Sequence, residues 1–528
     1  MFHVILRKPL TNMCKAVERV LDSKYDYSSA LYEEHVSINE YEAFVSNNHE
    51  IDRTIHISPE ITLFFCYCGD YTYEELDNGL IMFFHGNSPS DYHLIKDTIM
   101  SQHITSLDFE MEIFDSLQDT FFCFVFNRNT SEFLLLKDRL GAKSTPFTLF
   151  TDACMISSCA HCFYEYLRDK LDINTLINTF DLPALFLYRF SLQNNEFALN
   201  TQSYSNNLTI LDRTLDLSDA DAVRGYIKSS LTNFFEPFLN LPLLENRVFP
   251  LGVLFSGGVD STLLAAHLAS LVPPNTQIDL YNVAFDHKNI KEYDTPDRIT
   301  GLAAWEELKE CFPAVEFNMC AIDVPVDEGL DCLKYTLFKN ILPSRSSMDV
   351  NIALALCCAS SSKAQSLLTG NNYTRPNYKG YLLAQGADEL FGGYKRLHSI
   401  FAKHGYSACV ETLKTDIDTL WYKNLPREDR LFSFLQKTAY FPLLNERFMR
   451  IAYTIMDDQE LFSKYMLNPT LQRGIGEKIV LRQILCEYGL ERTATNPKRA
   501  IQFGSKSAKI ANAGKKGTVD MFEFFNSL

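Results

Sequence analysis

One stretch constrains this chain more than any other. Residues 248–271 read VFPLGVLFSGGVDSTLLAAHLASL, an apolar run, a Ser-Gly-Gly turn and a small-residue segment with helical spacing. The pattern predicts a strand, a glycine turn and a helix. Adjacent glycines allow a backbone path and a close approach that side chains forbid, and the N–H groups at a helix start attract an anion. The stretch therefore reads as a phosphate cradle.

No Gly-Lys-Ser/Thr follows the glycines, so the cradle is not of the Walker type. Ser256-Gly257-Gly258-Val259-Asp260-Ser261 resembles the PP-loop of ATP pyrophosphatases, which grip the diphosphate, transfer AMP to a carboxylate or similar oxygen, and release diphosphate. The resemblance implies that Ser256, Gly257, Gly258, Asp260 and Ser261 contact ATP. Taken alone, six residues fit an ordinary Gly-Gly turn about as well.

The chain has 528 residues, enough for several domains, with 46% hydrophobic and 22% charged residues, which is a globular composition. A net charge of −17 repels nucleic acid and anionic membranes, so neither is expected as a partner; Lys498 to Lys516 is the one basic stretch. No run of about 18 apolar residues appears, and the first residues do not read as a signal peptide. Fourteen cysteines lack a disulfide rhythm, which fits a reducing, cytoplasmic setting. Cys66-x-Cys68 and Cys159-x-x-Cys162 lack a second pair at zinc spacing and read as thiols in strands.

Residues 1–190 show mostly short strands, at Phe2 to Leu6, Ile61 to Cys68, Gly79 to Phe84, Thr120 to Phe126 and Glu132 to Lys137, with helical patterns at Asn12 to Asp22 and Tyr92 to Met100. This is an α+β pattern with antiparallel sheets. The segment FFCFVFNRNTSEFLLLKDRLGAKSTPF (residues 121–147) looks like a stretch of the type II, N-terminal-nucleophile glutamine amidotransferase domain of asparagine synthetases. That implies an αββα sandwich. The activity of that domain uses a cysteine at residue 2, whose own α-amino group is the base for its thiol. Here residue 2 is Phe, and His85-Gly86-Asn87-Ser88-Pro89 stands where the family carries its oxyanion and glutamine segment. Met13-Cys14 offers a second start, discounted because FHVILRK already resembles the family's first strand. The expectation is a glutaminase fold without glutaminase chemistry.

Residues 191–216 are polar and Asn-rich and read as a linker, with Ser218 or Asp219 capping the helix that opens a second domain at 217–528. From Val248 onward strands and helices alternate: strands at Ile278 to Phe285, Glu316 to Ile322 and Ser366 to Thr369, helices at Pro296 to Phe312 and Asp349 to Ser361. That predicts βαβ units and a parallel sheet with ligands at strand carboxyl ends. A second dense motif, LLAQGADELFGGY (residues 382–394), resembles the LSGEGADELFGGY motif of asparagine synthetases. Together the two motifs imply an adenine nucleotide alpha-hydrolase-like PP-loop domain with a helical C-terminal extension.

What the resemblance implies at single residues is specific. Asp260 and Asp388 would hold Mg²⁺, a hard cation suited to carboxylate and phosphate oxygens. Phe255, Val283, Leu383, Ala384 and Gly386 would line the adenosine pocket with the SGG backbone. Arg345 and Arg427 match arginines near substrate and nucleotide, and Lys498, within one or two residues of register, matches the lysine that stabilises adenylate and diphosphate. For each basic residue taken singly, a solvated surface charge is the plainer reading. Gln385 replaces the family's Glu, and an amide takes up no proton at neutral pH.

PDRITG (296–301) and KRA-x-QFGS (498–505) are similar to the asparagine synthetase domain-containing proteins, a paralogous group. Lys478 and Arg482, four apart, would face one way on a helix, where they could point together at an anion or equally be surface charges on an amphipathic helix. The leading expectation is an ATP-dependent ligase that activates a small amino-acid-like carboxylate as an acyl-adenylate, aspartate by family default. The alternative is an inactive paralogue serving as a nucleotide-binding interaction or sensor protein. A homo-oligomer is left open.

Overall fold

In the computed structural model the chain forms two compact units, one of Met1–Asn206, Phe338–Arg345 and Leu420–Gln436, the other of Asn207–Leu337, Ser346–Thr419 and Lys437–Leu528. The structure describes residues 2–6, 10–11, 51–58, 61–66, 71–76, 79–86, 89–101, 117, 120–149, 154–157, 179–184, 186–193, 196–203, 208, 215–286, 293–511 and 521. The expected helix at 12–22, Met13-Cys14, Asn87-Ser88, Cys68 and the Cys159-x-x-Cys162 pair lie outside them. No helix among the described residues is long and apolar enough to cross a membrane.

The first unit carries β1 (Phe2–Leu6), β2 (Leu10–Thr11), β3 (Ile51–Ser58), β4 (Ile61–Cys66), β5 (Tyr71–Glu75), β6 (Leu80–Gly86), α1 (Pro89–Ser101), β7 (Phe121–Asn127), β8 (Glu132–Lys137), β9 (Pro146–Leu149), β10 (Cys154–Ser157), β11 (Thr179–Asp181), β12 (Phe186–Gln193) and β13 (Glu196–Ser203). Two sheets result, in the orders β11-β9-β10-β1-β4-β3 and β2-β13-β12-β8-β7-β6-β5. Helix α1 seats Tyr92, Ile95 and Ile99 against Met82, Phe84, Cys123, Val125 and Leu134 of the larger sheet, the i, i+3, i+7 face that an amphipathic helix offers a sheet. Part of the stretch read as a linker is strand β13, which pairs antiparallel with β12 from Phe186↔Ser203 to Gln193↔Glu196.

The Asp138-Arg139-Leu140-Gly141 segment is a loop held by backbone donors: Asp138 accepts from the N–H groups of Leu140, Ala142 and Lys143 at 3.1, 2.9 and 3.1 Å. Its far end is braced by the helix Leu425–Phe434. Lys143 pairs with Asp429 at 3.2 Å, and Arg430 binds Asp181, Ser144 Oγ and Ser344 Oγ, the last two at 2.8 and 2.9 Å. These bonds explain why 338–345 and 420–436 belong to the first unit.

The second unit begins with α2 (Ala220–Leu239), capped by Asp219, whose side chain accepts from Asp221 N–H. Its sheet uses β14 (Leu251–Leu254), β15 (Gln277–Phe285), β16 (Glu316–Val324), β17 (Ala364–Ser366), β18 (Asn372–Tyr373), β19 (Gly380–Leu382) and β20 (Thr438–Tyr440), ordered β18-β17-β16-β15-β14-β19-β20. Strands β16, β15, β14, β19 and β20 are parallel. The strand expected at Ser366 to Thr369 ends at Ser366 and runs antiparallel to β16, because residues 367–370 turn back to form the β17–β18 hairpin.

Between the strands stand α3 (Val259–Leu271), α4 (Pro296–Cys311) and α5 (Ser347–Ser361). Thr295 caps α4 and Ser346 caps α5 in a reciprocal box with Asp349. The chain leaves β14 toward β15 and β16 on one side and returns to β19 and β20 on the other. That reversal beside β14 is a topological switch point, where ligands of open parallel sheets bind.

Candidate functional site

The two glycine-bearing motifs emerge side by side. Strands β14 and β19 run parallel in the register Leu251↔Gly380 to Val253↔Leu382, so Ser256-Gly257-Gly258 and Ala384-Gln385-Gly386 leave the sheet at the same edge. Each leads straight into a helix, α3 and the short α6 (Ala387–Phe391), with Gly258 and Gly386 as N-caps. Asp260 and Asp388 lie in those first turns.

Helix α4 presses against the SGG turn. Gly257 has φ +71°, and a Cβ there would sit 2.3 Å from the carbonyl oxygen of Thr300, so no side chain fits. Thr300 Oγ1 donates to Ser256 O at 2.9 Å. Buried Asn282 on β15 donates to Phe255 O and Asp297 O, both at 2.9 Å. Arg298 spans the strand ends, donating to Asn282 Oδ1 and Asp323 at 2.7 Å and to Ile322 O at 3.0 Å. The PDRITG residues, which in the sequence carry only a family signature, thus build the back wall of the cradle.

Two lysines bind the two acids together. Lys478 Nζ lies 2.6 Å from Asp260 Oδ2 and 2.6 Å from Asp388 Oδ1, and Lys498 Nζ lies 2.7 Å from Asp388 Oδ2. Lys478 reaches this place from a left-handed backbone at φ 53°, just before α7 (Ile479–Glu487). Its N–H donates to Phe391 O at 3.2 Å. A Cβ on Gly393 would fall 1.9 Å from Asp388 Oδ1 and 2.2 Å from Lys478 Cε, so glycine at 393 is what admits the lysine.

The charges tune one another. Burial works to raise Asp388, but Lys478 and Lys498 outweigh it and bring the carboxyl down to about 2. Burial opposes the charge of Lys498, yet Asp388 and Asp260 push it above the ordinary lysine value. Glu389 is raised, first by burial and then by the neighbouring Asp388, and accepts from Tyr394 OH at 2.5 Å.

The expected set divides in place. Phe255, Ser256, Gly257, Gly258, Asp260, Ser261, Val283, Leu383, Ala384, Gln385, Gly386, Asp388 and Lys498 all lie in the second unit, and Asp260, Asp388 and Lys498 converge there. Phe255, Val283 and Leu383 are buried and Ala384 and Gln385 half-buried. Arg345 and Arg427 belong to the first unit. Arg345 is half-buried just before α5; Arg427 is buried, donating to Glu428 at 2.5 Å and Lys423 O at 3.0 Å. Lys478 and Arg482 do not act together on an anion. Arg482 is spent on Glu477 O, Ala494 O and Asn496 O at 2.7, 2.6 and 2.9 Å, because Lys478 stands outside the helix whose spacing grouped them.

The residues fit a Mg²⁺ ion. Asp260 Oδ1 is buried without a hydrogen-bond partner, and the Lys478 ammonium already places positive charge between the two carboxylates. Magnesium bound to ATP takes one or two carboxylates and fills its shell with phosphates and water. Among the described residues no three acidic, histidine or cysteine side chains group into a metal site.

Residues 246–316 match the family described as Asparagine synthase. An asparagine synthetase domain-containing protein of Saccharomyces cerevisiae is 26% identical over 434 residues, covering 78% of this chain and 75% of its own length. Asparagine synthetase domain-containing protein 1 is 32% identical over 315 residues in Bos taurus and 30% over 312 in Homo sapiens, each covering 52% of this chain. The matched part spans about half the length of those two relatives, 48% and 47%. The chain thus carries an asparagine synthase domain segment and resembles the asparagine synthetase domain-containing proteins.

Proposed function

We propose that the second unit binds ATP with Mg²⁺ and transfers adenylate to a small amino-acid-like carboxylate, aspartate by family default, releasing diphosphate. The observation that carries this is the meeting of Asp260 and Asp388, from the turns after two adjacent parallel strands, with Lys478 and Lys498 at a topological switch point. Mg²⁺ held by Asp260 and Asp388 would supply positive charge to the phosphate oxygens.

The chain's own groups do the rest. The N–H groups at the start of α3 receive phosphate oxygens, and the Ser256 and Ser261 hydroxyls, 3.3 Å apart, stand ready as donors. Lys498, kept cationic by its acids, offsets the charge gained by the leaving diphosphate. Phe255, Val283, Leu383, Ala384 and Gly386 would frame the adenosine. Arg345 and Arg427 resemble the family's substrate arginines but lie in the first unit, and the pairing of Arg427 with Glu428 favours a structural role for that residue. Gln385 accepts no proton, so an amine or ammonia must arrive already deprotonated or be relieved of its proton by another group. The first unit is assigned as a degenerate glutamine amidotransferase domain, with ammonia or an amine as nitrogen donor.

The test is exchange of labelled diphosphate into ATP with each amino acid in turn. Exchange that depends on one amino acid identifies the substrate, and Asp260→Asn should abolish it. The amide at Gln385 favours a second reading, a nucleotide sensor. MgATP binding without exchange for every carboxylate and amine offered would select it, and no ATP binding at all would overturn both.

A further inference from the structure

We propose that Cys332 and Cys357 are an oxidisable thiol pair, and that the disulfide between them ties together the two elements that hold the far end of the segment carrying Lys498. Cys332 ends the helix Val326–Asp331 and opens a π-helical turn, Cys332–Leu337, a rare geometry that gathers at functional sites. Cys357 lies on α5. The two Sγ atoms are 3.6 Å apart, in contact, and a disulfide needs about 2.05 Å. Cys332 is half-buried, whereas Cys357 and its neighbour Cys358 are buried, so Cys332 is the thiol that a reagent meets first.

The pair joins two supports of one segment. Just before Cys332, Gly329 faces Ile510: a Cβ on it would lie 3.1 Å from Ile510 Cγ2. On the same helix as Cys357, the carbonyl of Asn351 accepts from Ser507 Oγ at 2.7 Å. Ser505 O accepts from Phe285 N–H at 3.0 Å, at the carboxyl end of β15. Lys498, at the other end of this segment, reaches Asp388. The chain between the two cysteines leaves the second unit at Phe338 and rejoins it at Ser346, so no short stretch of backbone holds the two supports together. A disulfide would.

The oxidant required is a small disulfide such as oxidised glutathione. The Cys332 thiolate attacks one of its sulfurs, the S–S bond breaks, and one glutathione thiolate leaves. The Cys357 sulfur then attacks Cys332 Sγ, the mixed disulfide breaks, and the second glutathione thiolate leaves. Two electrons pass to the glutathione, and the two cysteine protons end on its two thiols. The hydrogen bond with Cys357 works to lower the Cys332 thiol, but the bond with Cys358, burial and the nearby Glu328 outweigh it and hold the thiol above the ordinary cysteine value. Cys357 is raised by its bond to Cys332 and by burial, against the pull of Ser361. The thiolate is therefore scarce at neutral pH, so the reaction is slow and its rate rises about tenfold from pH 7 to pH 8.

The test incubates the full chain with oxidised glutathione, blocks the remaining thiols with an alkylating reagent, and maps disulfides by mass spectrometry of unreduced digests. The wild type should give a cross-link from Cys332 to the peptide carrying Cys357, removed by dithiothreitol and formed about tenfold faster at pH 8 than at pH 7. Because Cys357 and Cys358 are adjacent, serine variants identify the partner: Cys358→Ser should keep the cross-link and Cys357→Ser should lose it. A cross-link that survives Cys357→Ser overturns the pairing. Cys486 is exposed, and its glutathione adduct shows that the oxidant has acted; that adduct with no cross-link at Cys332 overturns the proposal. Amide hydrogen exchange at one pH then reads the tie. Peptides covering 498–511 should exchange several-fold more slowly in the oxidised wild type than in the reduced, and the same treatment should leave Cys357→Ser unchanged there. Equal exchange in the two wild-type forms overturns the link to the Lys498 segment. None of these measurements uses a nucleotide, so failure of MgATP binding would leave the pair standing and break only the nucleotide reading.

Discussion

Each unit buries a cluster of charges, and the two clusters are built differently. In the first, every carboxylate oxygen of the pair has a partner. Asp181 accepts from Ser144 Oγ, Thr145 N–H and Arg430, and Asp429 from Lys143 and Ser144 N–H. Its cation is mainly an arginine, a rigid fork that fixes carboxylates and backbone in one geometry. In the second, the cations are two lysines on flexible stems, Asp260 Oδ1 has no partner, and glycines at 257 and 393 hold side chains away. Burial and charge are common to both. The unpartnered carboxylate oxygen beside a helix start is what the nucleotide reading takes as a place for a ligand, against a brace whose carboxylate oxygens all have partners.

The sharpest way to break this distinction is Arg430→Ala. Leaving Asp181 buried without its cation should cost about 3–5 kcal/mol of stability, read from denaturant unfolding, because an uncompensated buried charge is the penalty. A cost near zero would make the first cluster no brace. Acid titration gives the next largest effect. Asp388 has a folded value of about 2 against 3.8 unfolded, so its stabilisation is present above about pH 4 and is lost as pH falls toward 2. The loss is about 2 kcal/mol, and Asp388→Asn should remove that part of the pH profile.

Asp260→Asn should weaken MgATP at least about tenfold by titration calorimetry while moving the unfolding midpoint far less than Arg430→Ala does. The opposite pattern would turn the second cluster into a brace as well. The smallest effect is expected for Gly393→Ala. Its methyl group displaces Lys478 from between the acids, and MgATP should weaken several-fold, about 1 kcal/mol. Unchanged binding would mean that Lys478 plays no part.

Much of the site is legible in the amino acids alone. The strand–turn–helix at 248–271, the acidic turn at 385–394 and the parallel sheet between them follow from period, glycine placement and alternation. Lys498 stands out because its neighbours carry a family resemblance. Helical spacing groups Lys478 with Arg482 wrongly, since it applies only inside a helix and Lys478 stands at the entrance with a left-handed backbone. Thr300 and Asn282 carry no chemical signal at all. Each is an ordinary residue whose role is a hydrogen bond or contact to a turn distant in sequence.

Taken by itself, the sequence determined what is local: where the cradle starts, which helix follows it, and which acids sit in the first turns. Backbone geometry and capping act over a few residues, so they are written in a few residues. Only the tertiary structure decided that Lys478 bridges Asp260 and Asp388, that 196–203, inside the stretch that reads as a linker, is a strand, and that Arg430 serves the first unit. Those outcomes depend on which buried charges meet and on what backbone each can reach, and chain folding sets both over hundreds of residues.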